Sequence, residues 1–185
     1  MGEQHKKHNR REHLNDFHLN VAGEYVYDGA LYACQNDDAK QRRSKRAVWG
    51  MAAILTVAVA AGGCIPAPGM QNCFYVLLPY LGEFLGAVSV IWALAKLGTD
   101  WSTVREYNYK KSVAVLPVRT AVTAVFSLLG IVCELIFFFV NDHAGQTFFA
   151  LLYVLLKLIA LLSVLVLRAE IMQAEWDKLP KKNNF

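Results

Sequence analysis

TFFALLYVLLKLIALLSVLVL, residues 147–167, decides the fold. The stretch is apolar almost all round and carries one charged side chain, Lys157, near its middle. A helix on the surface of a soluble protein keeps a polar face at the helical period, and this one has none. The hydrocarbon core of a bilayer is about 30 Å thick, and a helix needs about 20 apolar residues to cross it. Residues 147–167 therefore read as a membrane span. The same criterion picks out 47–65, 74–97 and 113–140. The first of these follows a long polar stretch and is followed by further spans, so it reads as a retained helix rather than a cleaved signal.

Charge orients the four spans. Cytoplasmic flanks of membrane helices are enriched in Lys and Arg. Lys40, Arg42, Arg43, Lys45 and Arg46 precede the first span. Arg105, Lys110 and Lys111 lie between the second and third, with Lys96 and Arg119 at the adjoining membrane ends. Arg168, Lys178, Lys181 and Lys182 follow the fourth. The other two connections, 62–73 and 141–146, contain neither residue type. The expectation is an all-α membrane protein, a four-transmembrane-helix bundle of the plasma (cytoplasmic) membrane with both termini cytoplasmic. Residues 1–46 form an arm, 47–168 the membrane domain and 169–185 a tail, its first part helix-compatible. Trp49 and Trp92 fall near the cytoplasmic ends, and Phe74, Tyr75 and Tyr80 near an outer end, where amphipathic rings favour the interface. The net charge of +4 is then a signal of topology and not of nucleic acid. Basic flanks of this kind also suit anionic lipid headgroups.

Polar and ionisable residues inside the spans need a reason, since each costs roughly 2.5–3.5 kcal/mol on insertion scales. Lys96 and Arg119 are near membrane ends and can snorkel. Glu83 lies nine residues into the second span, about 14 Å deep at the rise of a helix. Lys157 lies ten residues into the fourth, about 15 Å deep by the same rise. The two stand level near the midplane, and an ion pair across the bundle is open to them. Glu134, six residues before Val140, lies about 9 Å from the outer face. In span three Thr123, Ser127, Gly130 and Glu134 recur on one face. Gly82 and Gly86 in span two have the spacing that lets helices approach closely. Tyr153, Lys157 and Ala160 share a face of span four. Glu83, Glu134 and Lys157 are the candidate intramembrane site, with a register-fixing ion pair as the plain alternative.

Cys64 and Cys73 bracket the first outer loop around Pro66, Pro68 and Gly69. On an oxidising side they are expected to form a disulfide, worth about 2–3 kcal/mol for so small a loop. Cys34 is expected reduced, and Cys133 reads as a packing residue. The Cys-x-x-Cys pair of four-span thiol oxidoreductases is absent. Residues 1–16 are basic and rich in His. His5, His8, His13 and His18 lack the cysteines or turn that a metal site would use, so the stretch reads as a solvated arm. Further on, Asp28-Gly29 separates two β-prone runs and predicts a hairpin over 24–33. An isolated hairpin is marginal in water, so Tyr25, Tyr27 and Tyr32 are candidate contacts to a partner. Trp101, Tyr107 and Tyr109 of the inner loop are expected at the interface.

No phosphate loop, zinc-protease motif, nucleophile elbow or EF-hand pattern is present. The expectation is a non-enzyme without cofactor, a small integral membrane subunit that assembles with a larger membrane complex such as a transporter. The alternative is a small homo-oligomeric transporter or channel using Glu83, Glu134 and Lys157. A membrane thiol or lipid enzyme is the minor one. Its partners are the lipid bilayer and another membrane protein or a second copy of itself.

Overall fold

The computed structural model of the chain describes residues 17–19, 23, 25–27, 29–141 and 147–179. Four long helices carry the architecture: α1 Asp38–Cys64, α3 Phe74–Leu97, α5 Leu116–Val140 and α6 Thr147–Gln173, with short α2 Pro68–Asn72 and α4 Glu106–Lys111. Each long helix is long and apolar enough to cross a membrane. Their ends follow local chemistry. Pro68 opens α2 and Pro117 sits in the first turn of α5, where the missing amide costs nothing. Gly98 stops α3 at φ 71°, with its amide on Leu94 O, a backbone that glycine adopts without a steric penalty. α1 begins at Asp38 and α6 runs on to Gln173. Both exceed the apolar stretches 47–65 and 147–167, because a helix satisfies its own backbone whether lipid or water surrounds it.

The helices form a ring. α1 packs on α6, α6 on α5 and α5 on α3, and α3 closes more lightly on α1. Hence α3 and α6 face each other across the diagonal. Small residues bring α3 and α5 together: a side chain at Gly86 would meet Thr123 Cβ at 3.2 Å, and one at Gly82 would strike the Phe126 ring. Leu55, Ala58, Val59, Ala87, Ala160 and Val164 fill one layer of the interior. Outside the ring stand large apolar side chains such as Leu85, Trp92, Leu151 and Leu162, each more than three-fifths exposed, as a lipid-facing surface requires.

One end of the bundle is closed by a small sheet. β3 Leu31–Cys34 lies between β4 Val104–Arg105 and β5 Trp176–Lys178, antiparallel to both. Tyr32 pairs with Val104 on one side and Lys178 on the other. Further amide bonds run from Cys34 to Trp101 O, Glu106 to Ala30 O and Leu179 to Leu31 O. β3 precedes α1, β4 lies between α3 and α5, and β5 follows α6, so the helices alternate in direction. Under the sheet Trp101 is 2% exposed and packs with Val48, Leu94, Leu97, Leu116 and Leu167. Tyr32 stacks on Tyr109 at 4.2 Å, and Trp176 leans on Trp101 and Tyr109.

Four expectations change. First, 24–33 does not form its own hairpin. β2 Tyr25–Tyr27 pairs with β1 Phe17–Leu19 instead, and β3 pairs with two distant strands. Two neighbours and an aromatic floor outweigh one local turn. Asp28 of that turn, like His5, His8 and His13, lies outside the described residues. Second, the tail leaves its helix at Gln173 and returns as β5. Third, Cys64 and Cys73 are free thiols. Cys64 ends α1, Cys73 caps α3, and the chain between them folds as α2 against α3, α5 and α6, so packing closes the loop without a bond. Fourth, Trp101 and Tyr109 are structural, not interfacial.

Candidate functional site: a buried charge cluster

Glu83 on α3 and Lys157 on α6 form an ion pair across the diagonal of the ring. Glu83 is fully buried and Lys157 2% exposed. Ser127 of α5 donates its hydroxyl to the second carboxylate oxygen, Oε1, at 2.6 Å. The Lys157 ammonium also lies 4.7 Å from the Tyr80 ring centroid and 5.1 Å from that of Tyr153, inside the range of cation–π attraction. Tyr80 donates to Val59 O of α1 at 3.4 Å, so all four long helices contribute. Gly130 of α5 lies beside the lysine stem: a Cβ there would touch Lys157 Cε at 3.5 Å, an ordinary contact.

The arrangement answers a difficult energetic problem. Two charges taken from water lose several kcal/mol of solvation each, and only close geometry with further hydrogen bonds offsets it. Here Ser127 and two aromatic faces supply the extra contacts. The pair also fixes register, because a shift of one residue on α3 or α6 would turn a charge toward lipid.

Glu134 and Tyr153 stand one helical turn further from the sheet, Glu134 after Gly130 on α5 and Tyr153 before Lys157 on α6. Both are fully buried. The Glu134 carboxylate presses against the backbone of Gly69, where any side chain would collide with it. The Gly69 amide lies close enough to act on it electrostatically. Yet neither Glu134 oxygen, nor the Tyr153 hydroxyl, completes a well-aligned hydrogen bond among the described residues. Glu134 thus sits against the first turn of α2, where free amides favour an anion.

Toward the sheet, charged side chains tie the helices together. Arg119 of α5 donates to Ser89 O of α3 at 2.7 Å, and Arg168 of α6 donates to Pro117 O of α5. Beyond the helices, Asp100 accepts the Ser102 hydroxyl at 2.6 Å and its amide at 3.0 Å, which hold its carboxyl below the usual range, the hydroxyl first. Lys110, ion-paired with Glu106 at 2.6 Å, does the same to that carboxyl.

The three tyrosines of the N-terminal segment separate. Tyr32 is spent on Tyr109. Tyr27 packs edge-on to Phe17 at 5.3 Å, bonds Ala30 O at 3.3 Å and carries the Arg105 guanidinium over its ring. Tyr25 is 75% exposed, and its cross-strand partner Leu19 63%. The sequence places Tyr153 on the face of Lys157, but it assigns Tyr80 to the outer interface, although Tyr80 precedes Glu83 by three residues, a spacing that shares a helix face; the structure sets the Tyr80 ring on Lys157 instead. Sequence reasoning also missed Gly69 as the seat of Glu134, which no local pattern signals. No protein-family model matches the chain, and no curated protein or solved structure matches it.

Proposed function

We propose that this chain is a small non-catalytic subunit of a larger membrane complex, oriented with its sheet end and both termini in the cytoplasm. The observation that supports the reading is the Leu19–Tyr25 pair. These two residues lie opposite each other on the β1–β2 ribbon, apolar and exposed, while the rest of the same face is covered by Arg105 over Phe17 and Tyr27. An aromatic on a short tethered ribbon loses little further entropy on docking, and such anchors dominate protein interfaces. The ion pair fits a scaffold role, since its groups satisfy each other in the interior. The orientation rests on the basic flanks, which among the described residues belong to the sheet end. In the test, Leu19→Asp with Tyr25→Asp is expected to lower the co-purifying partner by about ten-fold or more, the loss of at least one interface anchor. Full retention of the partner by that variant would remove the reading.

A second reading has its own support. Glu134 and the Tyr153 hydroxyl are buried polar groups without well-aligned partners among the described residues, and such groups mark ion pathways in membrane proteins. On this reading the chain is a small transporter or channel. Purified protein in vesicles would then pass cations, and Glu134→Gln would stop the flux without unfolding the bundle. Absence of flux from the unaltered protein would set this reading aside.

A further inference from the structure

We propose that the start of α1 and the end of α6 form a binding site for the phosphate of an anionic lipid headgroup. Arg42, Arg43 and Arg46 line an open hollow of about 340 Å³ on the surface of α1. Lys40 and Arg43 line its neighbour, a groove of about 280 Å³ whose far wall is Glu170 and Gln173 of α6. Arg43 is common to both. Lys40, Arg42, Arg43 and Arg46 occupy two adjacent turns of one helix, and like charges at such spacings repel. Among the described residues none of the four has an ion-pair partner: the salt bridges there are Lys110–Glu106 and Lys157–Glu83. The Arg42 guanidinium reaches only the carbonyl of Asp38 on its own helix, at 3.2 Å. Lys45, the other cation of the run, is turned away toward the Trp101 ring at 5.8 Å.

The level of the two hollows selects a lipid over other anions. Trp49 lies three residues beyond Arg46, about 4.5 Å along the axis, and is partly exposed, as a tryptophan at the membrane boundary is. Arg46 to Lys40 then spans the headgroup layer, about 9 Å of helix. Arginine suits phosphate because its planar fork donates two parallel hydrogen bonds. Glu170 would repel a phosphate on the α6 side, so the phosphate belongs against Arg43 and Arg46, while Glu170 and Gln173 face headgroup hydroxyls. A phosphoglycerol headgroup has this chemistry. The inference needs only that the helices cross a membrane and is independent of the partner proposed above.

The test is native mass spectrometry of the full chain in detergent, titrated with a short-chain phosphatidylglycerol, a short-chain phosphatidylcholine and glycerol phosphate. Phosphatidylglycerol is expected to bind on the order of ten-fold tighter than phosphatidylcholine, with Arg43→Gln weakening it about five-fold and Arg43→Gln with Arg46→Gln more, as a few surface charges near anionic lipid predict. Lys96→Gln, a basic residue of the same end on α3, is the control and is expected to leave binding unchanged. Equal binding of the two lipids, or an equal loss in Lys96→Gln, would overturn the site. Displacement of the lipid by glycerol phosphate at equal affinity would overturn the lipid assignment in favour of a soluble phosphate.

Discussion

At Lys157, three attractions converge on one ammonium: the Glu83 carboxylate and the faces of Tyr80 and Tyr153. Removing one partner of a buried pair leaves a charge with no counter-ion, which costs about 3–5 kcal/mol. Glu83→Gln and Lys157→Met are each expected to destabilise the bundle on that scale. The double variant is expected to recover most of the loss, read as a double-mutant cycle from denaturant unfolding in detergent. Equal losses in the singles with simple addition in the double would mean the two residues do not interact. Gly86→Val tests the close approach of α3 and α5. Its Cβ would meet the backbone and Cβ of Thr123 at 3.2–3.3 Å, so a loss of about 1–3 kcal/mol is expected by the same unfolding measurement. The level of Glu83 and Lys157 was legible in the sequence, because depth in a span follows from counting residues. Which spans lie opposite was not legible, since the order of helices around a ring depends on side-chain fit among segments far apart in sequence.

Elements divide by the range of their interactions. The four long helices were readable because apolar length is a property of each segment alone. The sheet was not: β3 is four residues long and takes its partners from near residue 104 and residue 177, and nothing local in 31–34 names either. The Asp28-Gly29 signal is of the right kind for a turn, but the pairing it predicts would give β3 one neighbour where the fold gives it two. Trp101 explains the preference, for the sheet is the cover of a buried indole. Trp101→Ala is expected to cost about 3–5 kcal/mol as a large cavity under the sheet. Amide exchange should rise in β3, β4 and β5 and less in the middle of α5. Acid acts on the same end. The carboxyls of Asp100 and Glu106 are held below their usual range by Ser102 and Lys110. A lowered carboxyl contributes stability in full above the ordinary carboxylate range and loses it as pH falls through the depressed value. Protection from exchange in the 98–112 connection, taken relative to the intrinsic rate at each pH, is therefore expected to fall on acidification below the ordinary carboxylate range, and Asp100→Asn should blunt the change.

The whole molecule has two unlike ends. The sheet end gathers the basic flanks, the aromatic floor and the exposed Leu19–Tyr25 pair. The other end holds α2, seated on Glu134, and two free thiols. If the sheet end is cytoplasmic, a membrane-impermeant maleimide added to intact cells should label Cys64, which is exposed, and not Cys34, which is buried beside Trp101. Comparing intact with permeabilised cells on a Cys64-only variant settles the side. The proposed function requires a partner. Its most direct test is mass analysis of the chain extracted from its own membrane in mild detergent, with every co-purifying chain identified. A larger membrane partner in fixed stoichiometry is the predicted result. A lone monomer or a homo-oligomer would contradict it and move the weight to Glu83, Glu134 and Lys157 as a transport site.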